Sequence, residues 1–306
     1  MLSPIVLFVY NRHEHTRRTV EALQKNFLAE ESELFIFSDG PKNESDAIKV
    51  REVRNYLKTI SGFKSISIIE RDINFGLANS IISGVTDIVN KFGKIIVLED
   101  DMVSSPYFLK FMNDALDLYE NEDKVISIHA YAYPVKKSLP ETFFLKNPGC
   151  WGWATWKRGW DMFESDGQKL LDELIKKRLV KEFDYNYSYR FSETLRQQAE
   201  GIKDSWAILW YASAFLSDKL TLYPGQSLIQ NIGFDGSGVN SGISNIYHVE
   251  NSNMDVRVRK IELIENEKAQ KETEKYFRSI KTKSLKRLLW KLHSLKKRVF
   301  GKKIKK

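Results

Sequence analysis

Three consecutive carboxylates, Glu99, Asp100 and Asp101, close the apolar run Lys94–Leu98. Side by side they repel one another, and such a cluster is tolerated through solvent or a cation. Mg2+ and Mn2+ are commonly held by one or two carboxylates together with substrate phosphates. The same triplet also reads as a solvated turn or a charged helix start. Asp39 follows the apolar run Glu33–Ser38 and offers a carboxylate to a base or a ribose; a plain Asp-Gly-Pro turn is its other reading. Arg12 follows Pro4–Tyr10 and presents a guanidinium fork suited to a diphosphate, or to a surface ion pair. Gly149–Trp160 holds four tryptophans. Trp151 and Trp153 flank a glycine and suit a loop that stacks on a sugar face, whereas Trp156 and Trp160 read as core.

These residues need a scaffold, and the first half of the chain supplies one. Continuous apolar, β-branched runs at Pro4–Tyr10, Glu33–Ser38, Ser65–Glu70, Lys94–Leu98 and Lys124–His129 predict buried strands. Between them, helical periodicity predicts helices over Thr16–Leu28, Asp46–Ile60, Leu77–Phe92 and Pro106–Tyr119. Such alternation is the mark of an α/β fold with a mostly parallel sheet flanked by helices. Ligands of these sheets bind outside the carboxyl ends of the strands, where Arg12, Asp39 and the acidic triplet fall. Helical patterns then run to about Leu216, a short strand is expected near Leu220–Tyr223, and Ile232–Gly242 is a glycine-rich loop.

Composition removes several alternatives. No glycine lies between Val9 and Arg18, so the turn after the first strand is not a dinucleotide fingerprint, and no P-loop motif occurs. Phosphates would instead need a metal and basic side chains. The N-terminus predicts no signal peptide, no run is long enough to span a membrane, and the single Cys150 forms no internal disulfide. The net charge of +8 is unevenly placed. Residues 275–306 hold 14 Lys or Arg and no acidic residue, leaving 34 basic against 40 acidic residues elsewhere. An acidic body argues against nucleic-acid binding.

Val9–Arg12, Ser38–Gly40, Asn74–Ile81 and Leu98–Asp101, followed by Cys150–Trp156, Lys203–Trp206 and Asn231–Gly238, together resemble GT-A-fold inverting glycosyltransferases. The pattern looks closest to N-acetylglucosaminyltransferase I and related bacterial polysaccharide-assembly enzymes, and covers about residues 4–240. The resemblance implies a Rossmann-like GT-A domain over 1–250, with a nucleotide-sugar-binding half (1–130) and an acceptor-binding half (131–250). It further implies that Arg12 approaches the donor diphosphate, Asp39 reads uracil, and Asn74 lines the donor site. Asp101 would be the direct ligand of Mn2+ or Mg2+, with Glu99 and Asp100 facing the donor sugar and ribose. Asp204 would be the general base of a single displacement, although read alone it suits a helix N-cap. One departure stands out: Asn240 occupies a position where such enzymes often carry a metal-binding histidine, and His248 is the nearest substitute.

Residues 251–306 read as a charged linker and a basic tail. Leu285, Leu288, Leu292, Leu295 and Val299 fall at helical spacing among lysines and arginines, a basic amphipathic helix suited to an anionic membrane surface. The expectation is therefore a cytoplasmic enzyme, peripheral on the inner face of the cell membrane. It would move a sugar from a UDP-sugar to a glycan acceptor, lipid-linked in the fullest form of this reading. A sugar-1-phosphate nucleotidyltransferase and a non-catalytic nucleotide- or glycan-binding module are the rivals; the first would want a glycine-rich basic loop after the first strand.

Overall fold

A computed structural model describes residues 1–237 and 243–281. The strands are β1 (Ile5–Val9), β2 (Glu33–Ser38), β3 (Ser65–Glu70), β4 (Lys94–Glu99), β5 (Met102–Ser104), β6 (Val125–His129), β7 (Thr142–Leu145), β8 (Trp153–Trp156), β9 (Leu220–Pro224) and β10 (Ile229–Asn231). The helices that matter most here are α1 (His13–Gln24), α2 (Glu44–Leu57), α3 (Leu77–Phe92) and α4 (Phe108–Leu118). Beyond them lie α5 (Lys157–Trp160), α6 (Gly167–Lys176), α7 (Val180–Phe183), α8 (Phe191–Ala199) and α9 (Trp206–Leu216).

Eight strands form one sheet in the order β3-β2-β1-β4-β8-β6-β9-β7. β3, β2, β1 and β4 run parallel, and β6 pairs in parallel with β9; β8 and β7 are antiparallel to their neighbours. This is the expected α/β architecture. Period-2 alternation builds the two faces. From β1, Ile5, Leu7 and Val9 enter a core with Val20 and Leu23 of α1, Val53 of α2 and Phe111 of α4. Val6 and Phe8 enter the opposite core, against Ile81, Val85 and Val89 of α3. Burying each such side chain contributes about 1.5–3 kcal/mol, so β1 is fixed from both sides.

Register aligns the strand ends. Val9 lies opposite Ser38, Ser38 opposite Glu70, and Phe8 opposite Glu99. Residues 10–12, 39, 71 and 99–101 therefore emerge along one edge. The short two-stranded ladder β10–β5 lies beside it, with Asn231 opposite Met102.

Two expectations need correction. Trp153 is not in a loop: it lies in β8, 1% exposed, among Trp160, Trp206 and Trp210. Alternation along β8 turns Trp153 into one core, while Ala154 and Trp156 face the other. Nor does the compact body end at 250. Val256 joins the α1–α4 core, Ala269 is buried beside Tyr223, and Phe277 is buried in the cluster formed by α6, α8 and α9. Residues 267–281 are helical. The charged composition of this stretch concealed a few buried apolar side chains that tie it down. The amphipathic helix expected from Leu285 to Val299 lies outside the described residues, as does Asn240. No described helix is long and apolar enough to cross a membrane.

Candidate active site

Arg12 is the N-cap residue of α1, which aims its side chain across the end of β4. Its Nη2 donates to both Asp100 and Asp101, the latter at 2.8 Å, and its Nε donates to Asp100 at 3.2 Å. Burial disfavours the guanidinium charge, but the two carboxylates outweigh it and hold Arg12 protonated. Burial raises Asp100 despite Arg12. Glu99 is pushed up to about 8 by burial and then by Asp101 and Asp100, with Arg12 opposing. Arg12 offsets part of the triplet's negative charge. That is how three adjacent carboxyl groups coexist here.

Asp101 has one oxygen committed to Arg12, while its buried Oδ1 has no hydrogen-bond partner among the described residues. An unpaired carboxylate oxygen in a buried position is costly unless something binds it. Its backbone carbonyl accepts from Ile232 N at 2.9 Å, which draws the end of β10 over the triplet. A Cβ at Gly233 would collide with the Asp101 carboxylate, so glycine is required at that close approach. Beyond it, Asp235 reaches back to His15 of α1, with 3.1 Å between Oδ2 and Nε2.

Among the described residues, no group of three or more His, Cys, Asp or Glu could hold a metal alone. The residues nevertheless fit an ion whose remaining ligands are substrate phosphates and water, since Asp101 Oδ1 supplies one free, buried, hard oxygen. His248 is not gathered into such a group; it is exposed, with Nδ1 3.0 Å from Gln230 Nε2.

Asp39 is buried at the end of β2, and its carboxylate is fully engaged. Oδ1 accepts from Gly40 N at 3.0 Å and Phe75 N at 2.9 Å; Oδ2 accepts from Asn74 Nδ2 at 3.1 Å and Gly76 N at 3.1 Å. Asn74 Nδ2 also donates to the Gly40 carbonyl at 2.7 Å. Asp39 and Asn74 therefore clip two loops together. Gly76, at φ +76°, is the entry to α3, and a Cβ built there would lie 3.9 Å from Asp204 Oδ2. The clipped loop is thus in contact range of Asp204. Ser205, not Asp204, is the N-cap of α9. Asp204 is exposed and makes no side-chain hydrogen bond or ion pair among the described residues, so its carboxylate is available.

Trp151 is half-buried and edge-on to Tyr131, Phe234 and Tyr247. It connects the strand-end cleft to the segment around Tyr247. Sequence reasoning missed Arg71, which follows β3 at the same edge as Asp39. Arg71 stacks on Phe75, 4.2 Å from the ring centre, and donates to Ser83 Oγ at 2.8 Å. The strand-end rule that singled out Arg12 and Asp39 applies equally to it. Gly233 carried no signal of its own, because its partner is far away in the chain.

No protein-family model matches the sequence. No curated protein matches it. Among solved structures, the chain is similar to S. aureus TarS, at 12% identity and a TM-score of 0.41 over 75% of this chain. The chain spans 36% of that TarS chain, and 60% of a TarS structure of residues 1–349. It is also similar to the mannosyltransferase PcManGT from Pyrobaculum calidifontis in complex with GDP-Man and Mn2+. There the identity is 8% and the TM-score 0.40, over 71% of this chain and 70% of that one. A UDP-glucose pyrophosphorylase complexed with UDP-glucose is similar at 12% identity and a TM-score of 0.37, over 79% and 96%. Likeness at this level says nothing of the chemistry, which rests on the side chains above.

Proposed function

We propose that the chain is an inverting glycosyltransferase that uses a nucleotide sugar, with a UDP-sugar as donor. The observation that carries this reading is the buried Oδ1 of Asp101, without a partner among the described residues, beside Arg12 at the carboxyl ends of β1 and β4, with the carboxylate of Asp204 near the Gly76 loop that Asp39 holds. The motif resemblance supports the same assignment.

Arg12 would place its fork toward the donor diphosphate, where guanidinium geometry matches phosphate oxygens. Mn2+ or Mg2+, held by Asp101, would supply Lewis-acid stabilisation of the departing diphosphate. Asp204 would accept the proton of the acceptor hydroxyl as its oxygen bonds to the anomeric carbon. The bond from that carbon to the diphosphate breaks in the same displacement, so configuration inverts. Asp39 and Asn74 would act by holding the 74–76 loop in place, which makes loop positioning their part in donor binding. The acceptor is proposed to be a glycan, in its fullest form lipid-linked and presented at an anionic membrane surface that the basic tail engages.

Thermal stabilisation by a panel of nucleotide sugars, with and without Mn2+, tests this reading. A UDP-sugar should raise the melting temperature only when the ion is present, and Asp101→Ala should abolish the metal-dependent part. Stabilisation by none of the panel, or equal stabilisation of Asp101→Ala, would refute it.

A further inference from the structure

A cleft of the described residues lies away from the acidic triplet. It has a volume of about 820 Å³ and lies between residues 134–136, residues 243–248 and the helix over 267–281. Its wall carries the cations Lys136 and Lys275, the ring of Tyr276, and the polar groups of Asn245, His248 and Ser279. Lys136 is exposed and makes no ion pair among the described residues, whereas the acid on the wall, Glu272, is already paired with Lys275 at 2.7 Å.

The cleft is joined to the candidate active site by two routes. An aromatic chain runs from Trp151 to Tyr247, at 5.2 Å, and from Tyr247 to Tyr276, at 6.4 Å. On the other side, His248 is bonded to Gln230 of β10, and Gln230 lies opposite Val103, two residues beyond Asp101.

We propose that this cleft binds the acceptor, and that the acceptor is a saccharide bearing a phosphate. This rests on the glycosyltransferase reading above. Tyr276 offers an aromatic face to the sugar ring, and Asn245, Ser279 and His248 offer hydrogen-bonding groups to its hydroxyls. The ammonium of Lys136, unpaired among the described residues, meets the phosphate, with Lys275, which is shared with Glu272, beside it. The cleft lies beside residues 272–280, close in sequence to the strongly basic residues 282–306, and a lipid-anchored sugar phosphate and a free one present the same group to it.

Full-length protein, saturated with UDP to occupy the donor site, would be titrated calorimetrically with glucose 1-phosphate and with methyl glucoside. A parallel arm would measure binding to neutral-lipid vesicles doped with a polyprenyl-diphosphate sugar, against undoped vesicles. The expected result is that at least one phosphate-bearing probe binds and the uncharged glycoside does not. Affinity should fall at least about tenfold in Lys136→Glu/Lys275→Glu and recover in Lys136→Arg/Lys275→Arg. Binding of glucose 1-phosphate assigns a soluble source, and binding of the doped vesicles alone assigns a lipid one. The proposal is overturned if neither phosphate probe binds, if methyl glucoside binds equally well, or if the double Glu variant binds like the wild type. Cleavage of UDP-sugar by the wild type, measured separately, shows whether the glycosyltransferase reading itself stands.

Discussion

The carboxylates of Asp39 and Asp204 differ most in how they are partnered. Asp39 accepts hydrogen bonds at both oxygens, whereas Asp204 is exposed and has no side-chain partner among the described residues. Asp204→Asn should therefore leave melting temperature and UDP binding near wild-type values and slow turnover by at least about 10²-fold, the usual scale for a lost general base. A turnover change below threefold would remove Asp204 from the chemistry. Asp39→Ala leaves the amides of Phe75 and Gly76 without their acceptor, at a cost of about 1–3 kcal/mol, so denaturant unfolding should register the loss together with weaker donor binding. Weaker donor binding with unchanged stability would instead mark Asp39 as a direct reader of the donor. His129 gives a pH signature. Burial lowers its pKa to about 3, against about 6.5 in an unfolded chain. Above the unfolded value neither state is protonated and nothing is lost. As pH falls from 6.5 toward 3, the unfolded state takes up a proton that the fold refuses, which costs up to about 1.4 kcal/mol per pH unit. His129→Gln should shrink the drop in melting temperature between about pH 7 and about pH 4.5, and an unchanged drop would show that other groups govern it. At this scale the sequence was legible where a residue's setting is local. Arg12, Asp39 and the acidic triplet follow strands that announce themselves. It was not legible where the partner is distant: nothing near Asp39 foretells four donors, three of them from residues 74–76.

Among elements, the five early strands were readable because each is a continuous apolar run buried on both faces, a pattern that few other structures produce. β8 was not, because a tryptophan-rich stretch reads equally well as a stacking loop, and only pairing with β4 and β6 turns Trp153 inward. The helix over 267–281 was hidden for the opposite reason. Its surface is charged, and its attachment rests on few residues. Phe277 packs against the rings of Tyr133, Tyr189 and Tyr185 at 5.1, 5.0 and 5.4 Å. Loss of a buried aromatic of this kind costs about 3–5 kcal/mol. A chain ending after residue 281 should keep a cooperative unfolding transition at the full-length midpoint, whereas one ending at 266 should lose at least about 3 kcal/mol. Equal midpoints for the two truncations would show that this helix adds nothing to the body.

At the scale of the whole molecule, the parallel half of the sheet aligns Arg12, Asp39, Arg71 and the triplet along one edge, and the residues after β10 close against Asp101. The alternating first half made this edge foreseeable. The cleft beside Tyr276 was not, because residues 134–136 meet segments 243–248 and 272–280 that lie more than a hundred residues further along the chain. Charge is divided in the same way, with an acidic body and basic residues gathered at 275–306. Under the proposed function, the site at the triplet cleaves a nucleotide sugar by single displacement. That step is tested most directly by following a UDP-sugar by proton NMR with the wild-type protein and Mn2+. UDP should be released, with the freed or transferred sugar appearing first in the anomeric configuration opposite to that of the donor. A first product with the donor's own configuration, or no cleavage of any nucleotide sugar, would contradict it.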